Sequence, residues 1–200
     1  MKISSLILAA GSSSRLGSPK QLVEYQGEIL VSKITRVALA VTEEVLVVLG
    51  ANEKLIQPEL NNLLQENISR LQIKTNPEWH KGMGNSISFG VQALAEKSDA
   101  ILILLCDQPF VKQGIVQKML QLFANQHHSI VACKYANQLG VPILFDKKYF
   151  PRLIQLDGDS GAKAILKDYT DEIISIDFPE GIYDIDTQED INKLKMHSNA

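Results

Sequence analysis

The residues best suited to chemistry lie near the start of the chain. Leu8, Ala9, Ala10, Gly11 and Ser12 to Ser14 are followed by Arg15, Gly17, Lys20 and Gln21. Small side chains there let backbone N–H groups approach an anion closely, and Arg15 and Lys20 add positive charge. The combination reads as a phosphate cradle, with an ordinary turn carrying two solvated cations as the alternative. It is not a Walker A loop, because five residues separate Gly11 from Gly17 and Lys20 comes three later. The dinucleotide fingerprint fails as well.

Three further groups join this loop as candidates. Asp107 closes the apolar run Ala100 to Cys106, where a hard carboxylate suits Mg²⁺ held together with triphosphate oxygens; a turn cap before Pro109 is the simpler role. Asp186 and Asp184 lie two apart and could share a face of a strand, although one of them could instead cap the last helix. Gly82 to Ser86 reads as a loop running into a helix whose N-terminus and Ser86 hydroxyl could meet a nucleotide. Gly158, Asp159, Ser160 and Gly161 would likewise open a helix and cradle a phosphate through backbone N–H groups, with Asp159 as a plain N-cap the alternative.

The other reactive side chains read as bystanders. His80 beside Trp79 is expected to be a surface histidine, and His127, His128 and His197 lack metal-ligand spacing. Cys106 and Cys133 sit in apolar runs as buried thiols, with no basic partner visible to activate either.

These residues need a scaffold that gathers them at one edge. The 200 residues, 45% of them hydrophobic, are expected to form one domain spanning 1–200. A formal net charge of -3 without a long basic run argues against nucleic acid or an acidic membrane as partner. The apolar start ends at glycine and is too short for a signal h-region, and no stretch reaches the roughly 20 apolar residues of a membrane span. Two distant cysteines form no disulfide framework. A cytoplasmic location is expected.

Apolar runs at Ile3 to Ala9, Val45 to Leu49, Leu71 to Lys74, Ala100 to Cys106 and Ser129 to Cys133 read as strands buried on both faces. Helical stripes separate them at Ile29 to Val41, Asn52 to Gln65, Asn85 to Leu94 and Gly114 to Phe123. Asn52 and Asn85 are predicted N-caps, and Pro58 is predicted to kink or shorten its helix. This β-α alternation predicts a doubly wound, mostly parallel α/β sheet with right-handed crossovers and ligands at the strand C-termini. Strands at Val141 to Phe145, Glu172 to Asp177 and Ile182 to Ile185 are expected next, with helices from Asp159 and over Thr187 to Leu194. Thr187 and Asp190 would form the capping box of that last helix.

Taken together, Leu8 to Lys20 resembles the signature of the molybdenum cofactor nucleotidyltransferases, within the wider class of NTP transferases. Gly82 to Ser86, Cys106 to Pro109, Gly140 to Phe145, Gly158 to Ala162 and Asp184 to Thr187 fall in that family's order, so the resemblance covers essentially the whole chain. It implies a Mg²⁺-dependent nucleotidyltransferase with Asp107 as primary metal ligand and Asp186, or alternatively Asp184, as the second. Arg15 and Lys20 would neutralise the phosphates, while Ser86 and the Leu8 to Gly11 backbone hold the base. Members with Ala-Ala-Gly and Asp-Gln-Pro resemble cytosine users, so Ala10 and Gln108 imply CTP rather than GTP. The implied acceptor is molybdopterin, bound by Gly158 to Gly161, with docking to a molybdenum enzyme as a further implied contact. Ser160, Lys163 and Val141 depart from the family pattern, which commonly has longer basic and polar residues there. Alternatives are a guanylyltransferase, a cytidylyltransferase for a small sugar or alcohol phosphate, and a non-catalytic cofactor-delivery protein.

Overall fold

The computed structural model describes residues 1–125 and 129–198. In chain order the first half contains β1 (Ile3–Ala9), the short strands β2 (Glu24–Tyr25) and β3 (Glu28–Ile29), α1 (Leu30–Leu39), β4 (Glu44–Leu49), α2 (Glu53–Glu66), β5 (Leu71–Thr75) and α3 (Met83–Leu94). The second half contains β6 (Ala100–Leu105), α4 (Gln113–Asn125), β7 (Ile130–Tyr135), β8 (Gln138–Asp146), α5 (Phe150–Ile154), α6 (Lys163–Leu166), β9 (Ile173–Asp177) and α7 (Gln188–Ser198).

Seven strands form one sheet in the order β5-β4-β1-β6-β8-β7-β9, while β2 and β3 pair separately. Side chains of the central strands alternate between two cores, as the period of two requires. Ile7, Val45, Val47, Leu102 and Leu104 enter the layer with Ile34, Leu60, Val116 and Met119 of the helices α1, α2 and α4. Leu6, Leu46, Val48, Ile101 and Ile103 enter the other, with Ile87 and Val91 of α3 and Leu153 of α5. Helices on both faces explain why these strands are continuous apolar runs. Ser4 and Ser5 interrupt β1 only because each is paired, with Ser98 at 2.7 Å and Thr42 at 2.9 Å.

The doubly wound, mostly parallel sheet is therefore as expected, with one antiparallel member. β8 runs against both β6 and β7, because Ala136 and Asn137, at φ 47° and 58°, make a two-residue hairpin turn after β7. Thr187 and Asp190 form the expected capping box: the Thr187 N–H donates to the Asp190 carboxylate at 2.8 Å and the Asp190 N–H to the Thr187 hydroxyl at 3.3 Å.

Five local expectations are corrected. Ile182 to Ile185 is not a strand: Pro179–Ile182 is a 3-10 turn in which Gly181 N–H and Tyr183 N–H bond back to Phe178 and Glu180, leaving Ile185 tied only to the Asp107 carbonyl. Asn85 does not cap α3, which begins earlier at Met83 because Gly82, at φ 107°, turns the chain into it. Asp159 opens no helix, since α6 starts at Lys163 and is a single turn. Asn52 occupies its N-cap position but sends its side chain to the Ser12 carbonyl at 3.4 Å. Pro58 neither ends nor visibly shortens α2, which runs through it to Glu66.

Candidate active site

The chain leaves β1 toward β4 and β5 on one side and later reaches β6 on the other, so the loops after β1 and β6 diverge. A crevice at the C-terminal ends of these strands is the usual ligand position in an open α/β sheet. Here it is a cavity of about 300 Å³ walled by Leu8, Ala9, Ala10, Gly11 and Ser12 after β1 and by Leu105, Cys106 and Asp107 after β6.

The first loop owes its shape to Gln21, which is fully buried. Its Nε2 donates to the Ala9 and Gly11 carbonyls, both at 2.9 Å, and its Oε1 accepts from the Ser13 hydroxyl at 3.2 Å. Ser13 has the positive φ of 56° that the bend requires, and its hydroxyl also accepts the Lys20 N–H at 3.0 Å. A trans peptide sets C=O and the following N–H in opposite directions. Holding the Ala9 and Gly11 carbonyls on Gln21 therefore turns the Ala10 and Ser12 N–H groups away from it.

Lys20 is the electrostatic centre. Its Nζ donates to Asp107 at 2.5 Å and to Asp186 at 2.8 Å, with the ammonium side chain only 18% exposed. Burial alone would lower its pKa; the Asp107 charge and the bonds to both carboxylates outweigh that and hold it above its usual value. Arg15 reaches the outer oxygen of Asp186 at 3.3 Å from an exposed position, a contact of little energetic weight. Asp184 is different. Although the residue is exposed, partial desolvation of its carboxyl, then the Asp107 charge, raises it to about 6, and no hydrogen bond joins it to Lys20.

The carboxylates present fit a hard divalent cation. Asp107 Oδ1 is buried without a hydrogen-bond partner, a costly state unless something else satisfies it. Asp186 meets the same ammonium as Asp107, so the pair converge on one cationic point. Among the described residues there is no cluster of three or more potential metal-ligating side chains. Two carboxylates completed by phosphates and water is the pattern suited to Mg²⁺ rather than to an all-protein cage.

Another wall is Gly82, Met83 and Ser86 of the loop and first turn of α3, with Trp79 and His80 before them and Asp159 beside Gly82. The segment 157–161 is a loop seated on this turn: the Gly84 N–H donates to the Gly158 carbonyl at 2.8 Å. A Cβ on Gly82 would lie 2.3 Å from that carbonyl oxygen, and one on Gly84 would lie 2.7 Å from the Asp157 and Ser160 carbonyls. Glycine at both positions is what permits the approach.

Of the sequence-predicted residues, Leu8, Ala9, Ala10, Gly11, Lys20, Ser86, Asp107 and Asp159 wall the cavity together. Asp186 joins through Lys20 and Arg15 through Asp186, whereas Gly158, Ser160 and Gly161 are not on the wall. His80 is exposed as expected, yet it contributes to the wall. Cys106 and Cys133 are buried; burial raises both thiols, that of Cys133 to about 12, so neither is a nucleophile. His127 and His128 lie outside the described residues, as does the side chain of His197. The sequence placed Gln21 at the end of the cradle without its buried role, and missed Asn76, a buried residue after β5 that bonds Asn85 and Ser86. A polar side chain directly beyond an apolar strand was the available signal for Asn76.

Residues 5–173 match the MobA-like NTP transferase domain family. The chain is 32% identical to the purine catabolism protein PucB of Bacillus subtilis, over 81% of this chain and 79% of that protein. It is 25% identical to a probable molybdenum cofactor guanylyltransferase of Nostoc, over 94% and 88% respectively. A crystal structure of Rv0371c from Mycobacterium tuberculosis in complex with manganese has the same fold, with TM-score 0.75 and 22% identity, over 97% of this chain and 98% of that one. No helix among the described residues is long and apolar enough to cross a membrane. The match over most of the sheet, from β1 to the first residue of β9, places the chain in the MobA-like NTP transferase family, whose chemistry is nucleotidyl transfer.

Proposed function

We propose that this chain, acting as one domain in the cytoplasm, transfers CMP from CTP to molybdopterin carrying molybdenum and releases pyrophosphate. The observation that carries the reading is Lys20 drawn between Asp107 and Asp186 at the wall of a cavity lined by Leu8 to Ser12 and Ser86. In this reading the loop backbone and Ser86 hold the nucleotide, and Lys20 and Arg15 offset charge on the α- to γ-phosphates. The acceptor's terminal phosphate oxygen attacks the α-phosphorus in line. The new P–O bond forms as the bond to the β-phosphate oxygen breaks, and pyrophosphate leaves; the protein contributes positioning and charge neutralisation. Asp107 and Asp186 would hold Mg²⁺, which when bound supplies Lewis-acid stabilisation to the phosphate oxygens.

CTP is favoured because the Ala10 methyl, buried in the core of the α3 face, also walls the cavity and leaves less width for a purine than glycine would. GTP is the second reading, supported by the name of the Nostoc relative. The Gly158 to Gly161 loop is the proposed acceptor support, since it stands on the far side of the cavity from the triphosphate loop. Delivery of the product by docking to a molybdenum enzyme belongs to the same proposal.

The test is pyrophosphate release with Mg²⁺ and molybdenum-loaded molybdopterin, comparing CTP with GTP and using Asp107→Asn as the blank. Release with CTP that disappears in the mutant supports base, reaction and ligand together. Faster release with GTP reverses the base assignment. Tight triphosphate binding without release from either nucleotide rejects the acceptor and turns attention to small sugar or alcohol phosphates.

A further inference from the structure

Asn76 lies just beyond β5, is buried, and belongs to neither the phosphate loop nor the carboxylate pair. Its backbone N–H donates to the Leu49 carbonyl at 2.9 Å, which pins it at the end of β4. Its side-chain Oδ1 accepts the Glu78 N–H at 3.0 Å. A backbone N–H can only donate, so the amide oxygen must face Glu78 and the NH₂ group must face the other way. The two hydrogens of that NH₂ go to Asn85 Oδ1 at 3.0 Å and Ser86 Oγ at 3.1 Å.

Ser86 therefore receives a hydrogen from Asn76 and has no acceptor there for its own. Its residue walls the cavity. We propose that Asn76 is a positioning residue for base selection: by donating to Ser86 Oγ it makes Ser86 present an O–H donor to the nucleobase. A donor selects an acceptor edge, such as N3 of cytosine, and rejects an N–H edge such as N3 of uracil. This rests on the proposed reading that Ser86 faces the base.

The test is equilibrium binding of CTP and UTP, without acceptor, to the full chain and to Ser86→Ala, Asn76→Asp and Asn76→Leu. If GTP proves to be the substrate, the pair becomes GTP and ATP, because O6 of guanine accepts where N6 of adenine donates. An aspartate can still accept the Glu78 N–H, but it takes the Ser86 hydrogen instead of giving one. Asn76→Asp should therefore move the CTP-to-UTP affinity ratio toward UTP by about tenfold, the effect of reversing one hydrogen bond. Asn76→Leu, which frees the Ser86 hydroxyl to rotate, should bring the ratio close to unity and covers the case in which the buried carboxylate does not fold. General loosening would weaken both nucleotides equally and leave the ratio alone, which overturns the proposal. Ser86→Ala with unchanged CTP affinity and ratio removes the underlying reading that Ser86 meets the base. Ser86→Ala that collapses the ratio, beside Asn76 variants that keep it, leaves that reading standing and removes Asn76 from base selection.

Discussion

Two loops face each other across the cavity, and they are held by opposite means. The loop of residues 10–19 after β1 is organised by one buried side chain just beyond it, Gln21, that binds the Ala9 and Gly11 carbonyls and the Ser13 hydroxyl. The loop 157–161 has exposed Asp159 and Ser160 and is held from outside, where glycines 82 and 84 let its backbone lie against the start of α3. The first arrangement fixes backbone donors before any ligand arrives; the second fixes only where the loop stands and leaves its side chains to solvent. A site built this way should tolerate change at 159 and 160 far better than at 20 or 21. Preorganised donors are the part that electrostatic catalysis depends on.

The largest expected effect is at the carboxylate that the first loop's lysine meets. Asp107→Asn keeps a group that can accept from Lys20 and should fold normally, yet lower turnover by a factor on the order of 10²–10³ or more, as removal of one preorganised electrostatic group does. Single-turnover rates beside a thermal melt check it, and a near-normal rate would remove Asp107 from the metal site. Next is Gln21→Met, which strands the Ala9 and Gly11 carbonyls. We expect a stability loss of about 2 kcal/mol or more from the two orphaned acceptors, and a fall in affinity that grows from CMP through CDP to CTP. Equal losses for all three nucleotides would mean that Gln21 supports the fold without shaping the phosphate cradle.

The same contrast explains what could be read in advance. Strands β1, β4 and β6 are apolar on both faces and bounded by helical stripes, so their burial and parallel order followed from pattern alone. Lys20, Asp107 and the small residues 8–12 announce themselves because charge and backbone access are properties of the residues. The antiparallel β8 turned on Ala136 and Asn137 adopting positive φ, which alanine does not advertise. Segment 158–161 has the same small, polar composition whether it caps a helix or leans on one. Only the space beside Gly82 and Gly84 decides between these, and that is tertiary. Ile182 to Ile185 reads as a strand because Ile182, Tyr183 and Ile185 favour extended backbone; the 3-10 turn through Gly181 consumes the backbone groups a ladder would need.

Gly84→Ala sharpens the comparison from the other side. Its Cβ would press on the Asp157 and Ser160 carbonyls at 2.7 Å, so the second loop must shift while Gln21 and its loop are untouched. We expect the acceptor KM to rise about tenfold, the scale of a displaced positioning group, with nucleotide Kd unchanged. Titration calorimetry for the nucleotide and initial rates for the acceptor separate the two. A parallel loss of nucleotide affinity would show the loops to be one unit.

The smallest effect distinguishes Asp184 from its neighbour Asp186. Partial desolvation of this exposed carboxyl and the Asp107 charge raise Asp184 from 3.8 to about 6, so between about pH 4 and 6 the folded chain keeps a proton that the unfolded chain has released. Stability from this group is present below about pH 4 and lost as pH rises through 6, the opposite sense from a carboxylate stabilised by a cation. Asp184→Asn removes the ionisation while keeping a polar side chain. It should therefore melt close to the unaltered protein at pH 4 and higher than it at pH 8, by about 3 °C after allowance for solvent screening. Asp186→Asn, which loses a partner of Lys20 and Arg15, should not gain stability at pH 8. If both substitutions shifted the melt in the same direction with pH, Asp184 would belong with the carboxylates that Lys20 stabilises, and the separation drawn from its lack of a hydrogen bond to Lys20 would fail.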